Sequence, residues 1–202
     1  QGLRLELTAD AETPDCPNFA LIDGVELGDG TIEVEVAGQP LPDPPPGARG
    51  FLGVAFRIAP DLSRFECIYL RPTTGRADVQ LRRNRSVQYF SYPDYKLDRL
   101  RTEAAGEYET YVDLEPGAWT KMRIEVSGER AMLFVYDADQ PKLIVNDLKH
   151  GAGLSGGIGL YFSEQMKSYN YGNAGACVLA VVILVVVGEV ISNRIRTKLI
   201  SG

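Results

Sequence analysis

The sequence predicts an all-β fold, a two-sheet sandwich over residues 1–165, followed by one hydrophobic transmembrane helix within residues 166–202. Apolar and polar residues alternate with a period of two in many short stretches before residue 163. Turn residues separate these stretches, and none of them has the pattern of an amphipathic helix of three turns. About ten short strands at this spacing are typical of a sandwich.

The clearest predicted strand covers residues 31–37, where an isoleucine and two valines share one face and two glutamates share the other. The residues that follow it, 40–46, are rich in proline. They are predicted to form a loop, because proline donates no ladder hydrogen bond. A tight turn, Ser127-Gly-Glu129, predicts a hairpin between two later strands. The strands predicted after the loop are 51–58, 65–71, 87–90, 108–114, 119–126, 131–136, 142–145 and 157–162.

Composition excludes several classes of protein. The chain carries 27 acidic and 21 basic residues, for a net charge of −6, so nucleic-acid binding is disfavoured. Three cysteines are too few and too scattered for a disulfide framework or a zinc site. The first residue is Gln1, which fits either a processed N-terminus or a fragment of a longer chain.

The predicted membrane segment covers residues 174–191 and overlaps a stretch from 168 to 188 that has no charged residue. About 20 apolar residues in a helix cross a bilayer core, whereas strands seldom exceed about 10 residues. Basic residues between 194 and 198 place the C-terminus in the cytoplasm and residues 1–165 outside it. The alternative is a buried strand or helix of the globular domain.

Five motifs follow one another along the chain: GFLGVAFR at 50–57, FECIYLRP at 65–72, VQYFSYPDY at 87–95, GEYETYVD at 106–113 and GAWTKMRI at 117–124. Together they resemble the concanavalin A-like lectin/glucanase superfamily, near its laminin G-like and 3-keto-disaccharide hydrolase domains. The resemblance spans residues 1–162. It implies a jelly roll of two antiparallel sheets, secreted or envelope-attached, that binds or acts on glycans.

The sequence departs from that family after residue 162, where the usual closing strand gives way to the apolar run. We therefore expect an exposed sheet edge and marginal stability. The C-terminal segment itself resembles the last transmembrane helix of a phosphonate-type ABC transporter permease. Because one helix forms no translocation path, that resemblance implies a fused or misassembled reading frame.

Sugar recognition needs planar polar groups for vicinal hydroxyls and an aromatic face for the ring. Alternation places Arg57 on the non-core side of its strand, beside small residues that leave room for a ligand, and turns Tyr69 and Arg71 outward in the same way. The predicted carbohydrate-binding groove comprises Arg57, Tyr69, Arg71, Asn84, Gln88 and Tyr92. The alternative is a solvated sheet face without a ligand.

No catalytic residue is assigned from the sequence. Glu33 and Glu35 lie about 7 Å apart by strand rise, but alternating glutamates are usual on a solvent face. The other acidic pairs, 107 with 109 and 113 with 115, have no supporting context, and His150 is expected in a surface loop. No metal and no cofactor is predicted. The laminin G-like resemblance implies calcium on loop oxygens. The residues available for it, which are also common in turns, are Asp137, Asp139, Asn146 and Asp147.

The leading interpretation is an extracytoplasmic, non-catalytic, lectin-like module that binds a glycan or oligosaccharide and is anchored in a membrane through residues 174–191. A glycoside-processing hydrolase of the 3-keto-disaccharide type is the alternative, and it requires a carboxylate with a raised pKa in the groove. An adhesion domain that binds protein is the further alternative.

Overall fold

A computed structural model describes residues 3–6, 19–40, 50–163 and 176–181. Within these ranges nearly all regular structure is β. The strands are β1 (Leu3–Glu6), β2 (Phe19–Leu27), β3 (Gly30–Pro40), β4 (Phe51–Ile58), β5 (Phe65–Leu70), β6 (Val87–Tyr92), β7 (Glu109–Thr110), β8 (Thr120–Ser127), β9 (Arg130–Val135), β10 (Leu143–Val145), β11 (Gly156–Ser163) and β12 (Ala176–Val181). The helical elements are a 3-10 turn (Pro72–Thr74), α1 (Gln80–Arg83) and α2 (Leu97–Glu103).

The strands form two six-stranded antiparallel sheets. Sheet 1 has the order β1-β12-β3-β8-β9-β10, and sheet 2 has the order β2-β11-β4-β5-β6-β7. Neighbours in each sheet are often far apart in sequence, as expected for a sandwich with crossing connections. The prediction of a mostly β, two-sheet fold is therefore confirmed.

The core lies between the sheets. On β3, Ile32, Val34 and Val36 are at most 2% exposed, while the glutamates between them are partly exposed, as the alternation predicts. Burial of one such side chain contributes about 1.5–3 kcal/mol. The sheets approach closely at Gly38, since a Cβ there would lie 2.6 Å from Cδ2 of Leu52 on β4.

Sheet 2 is covered on both faces at its centre. Every residue of β4 and β5 is buried, and so is every residue of β6 except Tyr92. Alternation between a buried and an exposed face is therefore absent from these strands. The face of sheet 2 that points away from sheet 1 is packed, and the candidate site lies at one end of it.

Most predicted strands are confirmed, with bounds that differ by at most a few residues, and the predicted hairpin is β8–β9. The predicted strand 108–114 is shorter and retains only β7. The hydroxyl of Ser86 accepts from the Val112 amide at 2.7 Å and donates to the Val112 carbonyl at 2.9 Å. A side chain thus takes the place of a ladder partner. Of the predicted proline-rich loop, Pro40 ends β3, and residues 41–46 lie outside the described ranges.

The apolar segment contributes a strand where the sequence predicted a transmembrane helix. Ala176–Val181 form β12, which pairs with β3 on one side and β1 on the other. For these six residues the helix prediction is wrong, because β-branched valines suit a strand and β3 offers an unpaired ladder. The remaining residues of the predicted segment 174–191 lie outside the described ranges. In the part of the chain that the structure describes, no helix is long and apolar enough to cross a membrane.

The prediction of an exposed sheet edge is also wrong at β3, because β12 covers that edge. With β12 in place, β3 has a hydrogen-bonded neighbour on each side, β12 and β8. The closing role expected of a strand directly after residue 162 is taken by one that begins at Ala176.

Candidate functional site

The candidate site lies on the outer face of sheet 2, the face that points away from sheet 1. Leu52 points toward sheet 1, as its approach to Gly38 shows. Leu52 is in register with Leu70, so the preceding residue, Tyr69, points outward. Gln88 lies opposite Tyr69 on β6 and therefore shares the outer face.

Aromatic rings pack across this outer face. Their centroids lie 5.1 to 5.8 Å apart, in tilted, edge-to-face and stacked arrangements. The rings are those of Phe51, Phe65, Tyr69, Phe90, Tyr92 and Tyr161. All except Tyr92 are at most 2% exposed, so this layer forms a floor and the accessible part of the face lies at its edge.

Arg71 marks that edge. It follows the last residue of β5, and the next residue, Pro72, starts a 3-10 turn, which ends the strand. Arg71 Nη2 donates to the Tyr69 hydroxyl at 2.6 Å and also bonds Gln88 Oε1. Its guanidinium carbon lies 5.2 Å from the ring centres of both Tyr69 and Phe51. The guanidinium is thereby fixed in orientation.

Glu109 on β7 joins three arginines at this edge. Its side chain is 6% exposed and pairs with Arg71 Nη1 at 3.7 Å and with Arg85 Nε at 3.4 Å. Arg101 Nε donates to it at 3.0 Å, and Arg101 Nη2 is also bonded to it. A carboxylate bonded in this way orders the guanidinium groups around it.

Two adjoining cavities open beside these arginines. The first has a volume of about 220 Å³ and is lined by Phe51, Arg71, Thr74, Val79, Leu81, Arg82, Arg85 and Arg101. The second, of about 500 Å³, shares Leu81 and Arg85 with the first and is also lined by Asn84, Ala105, Gly106, Glu109, Thr110 and Tyr111. Since a water molecule occupies about 30 Å³ of the liquid, the first cavity has the volume of roughly seven water molecules.

Three of the six predicted groove residues come together, in unequal roles. Arg71 lines the first cavity, whereas Tyr69 and Gln88 are 1% and 0% exposed and lie behind it. The Tyr69 hydroxyl also donates to Gln88 Oε1 at 3.2 Å, which closes a triangle around Arg71. These two side chains position Arg71, which is itself 5% exposed, so most of the accessible arginine surface belongs to Arg82, Arg85 and Arg101.

Asn84 and Tyr92 lie apart from that triangle. Asn84, at the end of α1, lines the second cavity, and its Oδ1 accepts from Gln80 Nε2 at 2.6 Å. Tyr92 lies at the far end of β6 from Gln88. Its ring is stacked on that of Phe65, with the ring centres 5.1 Å apart, and Lys96 Nζ lies 5.2 Å from the centre of the Tyr92 ring.

Arg57 does not join the groove. It is 2% exposed, and its guanidinium donates to the carbonyls of Gly28, Gly128 and Gly151 and to Asp29 Oδ1, at 2.8 to 3.1 Å. Its φ of 53° departs from extended backbone, and a register shift interrupts the neighbouring strand, so alternation does not hold here. Arg57 links turns at one end of the sandwich.

A second polar cluster lies on the inner face of sheet 2. Glu66 is fully buried and accepts from the Tyr89 hydroxyl at 2.7 Å and from the His150 amide at 3.0 Å. Burial, and then the charge of Glu66, raise the pKa of Tyr89 well above its ordinary value. His150 is half-buried, and its Nε2 contacts the Tyr92 carbonyl at 2.8 Å. These contacts anchor the loop that carries His150, so the residue is less exposed than the sequence suggested.

Two of the residues considered for calcium, Asp137 and Asp147, are each engaged by a lysine. Asp147 Oδ2 accepts from the Tyr108 hydroxyl at 2.6 Å and from Lys149 Nζ at 2.5 Å. Partial burial opposes ionisation, but these hydrogen bonds lower the pKa of Asp147. Asp137 pairs with Lys121 at 3.0 Å. Across the described ranges, no group of three or more His, Cys, Asp or Glu side chains is arranged to hold a metal ion.

The acidic pairs considered for catalysis are likewise occupied or remote. Asp113 and Glu115 both bind Arg76, at 2.7 and 2.8 Å, and the hydrogen bond from Arg76 lowers the pKa of Asp113. Glu33 and Glu35 belong to sheet 1, opposite Arg123 and Lys121 of β8. Among the described residues that line the two cavities, Glu109 is the sole carboxylate.

Sequence reasoning missed Glu109, Arg85 and Arg101 as parts of the site. The sequence placed Glu109 in a predicted strand, but nothing local showed that β7 pairs with β6. That pairing places Glu109 opposite Gln88 and next to the arginines. The basic residues at 82, 83 and 85, directly before the predicted strand 87–90, were the available indication of a charged site at that end of the strand.

No family model matches the chain, and no curated protein matches it. The resemblance of the C-terminal segment to an ABC transporter permease is therefore unsupported. Solved structures with some likeness include the carbohydrate binding module CBM66 from Bacillus subtilis, with a TM-score of 0.46 and 14% identity over 77% of this chain and 74% of that chain. A protein of Parabacteroides distasonis, provisionally assigned as a glycosyl hydrolase, has a TM-score of 0.41 and 10% identity over 78% of this chain and 73% of that chain. A single-residue variant of human galectin-16 has a TM-score of 0.37 and 13% identity over 74% of this chain and 95% of that chain. Likenesses of this size do not establish a shared fold, and the two-sheet architecture follows from the strand pairing of this chain alone.

Proposed function

We propose that this chain is a non-catalytic carbohydrate-binding module of the concanavalin A-like, lectin-like kind, with its ligand in the cavity that Arg71 lines. The observation that carries the proposal is the fixed guanidinium of Arg71, which Tyr69, Gln88 and the ring of Phe51 hold in one orientation beside an open cavity. A planar, preorganised fork of donors suits bidentate bonding to adjacent sugar oxygens, because little side-chain entropy is then lost on binding.

The cavity walls favour the same kind of ligand. Phe51, Val79 and Leu81 offer apolar surface beside the arginines, and Val79 and Leu81 are 63% and 60% exposed. A sugar ring presents C–H groups on its faces and hydroxyls around its edge, so it can contact both kinds of wall at once. The family resemblance of residues 1–162 in the sequence leads to the same class of ligand.

Binding without turnover is the better-supported form of the proposal. Glycoside hydrolysis by the usual route needs two carboxylates about 5–9.5 Å apart, one of them able to donate a proton. The cavity-lining residues that the structure describes offer Glu109, which is paired with three guanidinium groups. Display outside the cytoplasm remains a prediction from the sequence.

Binding of the full chain to a panel of neutral and acidic soluble oligosaccharides, measured by calorimetry, tests this function. We expect at least one glycan to bind, and Arg71→Lys to weaken that binding about tenfold or more, since lysine lacks the planar fork. Arg64→Lys is the matched control, because Arg64 is exposed in the turn before β5.

Unchanged affinity in Arg71→Lys, with its thermal unfolding also unchanged, would place the ligand elsewhere. Release of reducing sugar from a bound glycan would show a hydrolase instead. A folded chain that binds none of the panel would favour the protein-binding interpretation.

A further inference from the structure

The first cavity is strongly cationic in an acidic chain. Arg71, Arg82, Arg85 and Arg101 line it, and the nearest carboxylate that pairs with them is Glu109, so four positive charges face one negative charge. The whole chain has a net charge of −6. Positive charge concentrated at one cavity against that background is a local feature of the site.

Glu109 uses only part of the donor capacity of these arginines. Within the described ranges, the Arg82 side chain has no ion pair, and Arg85 is paired with Glu109 through Nε. Arg82 is exposed and Arg85 is partly exposed, and both line the cavity, so a ligand that brings acceptors into it would bond donors that Glu109 leaves open.

The neutral hydroxyls of a sugar both donate and accept hydrogen bonds, whereas guanidinium groups only donate. A wall of several guanidinium groups therefore uses only the acceptor capacity of neutral hydroxyls, whereas it matches fully a group that only accepts. Carboxylate and sulfate oxygens are of that kind, and bidentate pairing with arginine is their strongest geometry.

We infer that the glycan bound at this site carries an anionic group, a carboxylate or a sulfate, which enters the first cavity between Arg71, Arg82 and Arg85. This inference rests on the proposed carbohydrate-binding function and names the class of sugar. The second cavity shares Arg85 with the first and continues past Asn84 and Tyr111, which gives neighbouring sugar rings of the same glycan a place to bind.

Matched pairs of polymers test the inference with the full chain. Polygalacturonate is compared with its methyl ester, and a sulfated galactan with its desulfated form, by calorimetry in low salt. We expect the acidic member of one pair to bind at least about tenfold more tightly, which is the contribution of one charge-assisted contact. Affinity for it should fall as salt is raised, because the cavity is open and its charges are screened over about 8 Å at physiological salt.

The double variant Arg82→Gln, Arg85→Gln should remove the preference for the acidic member. Thermal unfolding should change little, because Arg82 is exposed and Glu109 keeps Arg71 and Arg101 as partners when Arg85 is replaced. Arg130→Gln removes one exposed charge from β9, away from the cavity, and is the control for net charge. Which pair responds identifies the anionic group as carboxylate or sulfate.

Equal affinity for both members of each pair would overturn the inference while leaving the carbohydrate-binding function standing. A preference that survives in the double variant, or that Arg130→Gln removes equally, would overturn it too. Absence of binding to every polymer would overturn both the inference and the proposed function.

Discussion

Arg57 connects three turns at one end of the sandwich through a single guanidinium group. Its donors reach the β2–β3 turn at Gly28 and Asp29, the β8–β9 turn at Gly128, and the loop at Gly151. Turns that join strands of both sheets are thus bonded to one buried side chain. An exposed ion pair contributes little, but here three carbonyls would lose their donor if the side chain were shortened.

Arg57→Lys should therefore destabilise the protein by about 2–4 kcal/mol, since one ammonium group replaces a fork that reaches four acceptors. The expected result is a lower midpoint in urea with an unchanged slope, and glycan affinity at the Arg71 site should stay as in the parent protein. Arg64→Lys, at an exposed position, is the matched control. Equal stability of the two variants would contradict the role assigned to Arg57.

A comparison of Arg57 with Arg71 shows how much of the site the sequence could predict. Alternation assigned both residues to the outer face, and this holds for Tyr69, Arg71 and Gln88 because β5 and β6 are regular. It fails at Arg57, where a positive φ and a shifted partner strand redirect the side chain. Glu109 was missed because its place depends on which strands pair, and that depends on the whole sheet.

At the scale of elements, β12 decides how sheet 1 is completed. Sequence patterns predicted the regular strands well, since period-two alternation and turn residues are local properties. The valine-rich run suited a buried strand and a membrane helix equally, and its length favoured the helix. Pairing of Val178 with Gly38 and of Ala180 with Val36 places the start of that run in the sheet, which no local pattern specifies.

Val178→Pro tests this assignment, because proline in the middle of β12 removes an amide from the ladder. We expect a loss of about 1–3 kcal/mol in unfolding free energy relative to Val178→Thr, which keeps both the β-branch and the amide. Hydrogen exchange should also show faster exchange of the β3 amides in the proline variant. Equal stability and equal β3 protection in the two variants would mean that residue 178 lies outside the sheet.

At the scale of the whole molecule, the two sheets use their surfaces differently. The outer face of sheet 1 places opposite charges in register on neighbouring strands, as at Glu33 and Arg123, whereas that of sheet 2 is an aromatic floor with arginines at its edge. The inner polar cluster joins the two sheets, because the loop that follows β10 of sheet 1 bonds Glu66 and Tyr89 of sheet 2 through Lys149 and His150.

That inner cluster makes global stability depend on pH in the alkaline range. Burial, and next the charge of Glu66, raise the pKa of Tyr89 well above 10, its ordinary value in the unfolded chain. A folded-state pKa above the unfolded one means that the folded protein binds more protons at alkaline pH. The contribution of Tyr89 is therefore fully present below about pH 10 and is lost as pH rises toward its folded pKa.

Unfolding free energies measured between pH 8 and 11 should decrease above about pH 10, with up to about 1.4 kcal/mol per pH unit due to Tyr89. Tyr89→Phe should be less stable near neutrality, since the donor that Glu66 then keeps among the described residues is the His150 amide, but its decline above pH 10 should be shallower. Tyr108→Phe is the matched comparison, because the pKa of Tyr108 is also raised, by partial burial first, yet this residue is more accessible. Parallel pH profiles for the parent protein and Tyr89→Phe would mean that the Tyr89 hydroxyl reaches solvent, and the cluster would then not bind the two sheets together in the way its hydrogen bonds indicate.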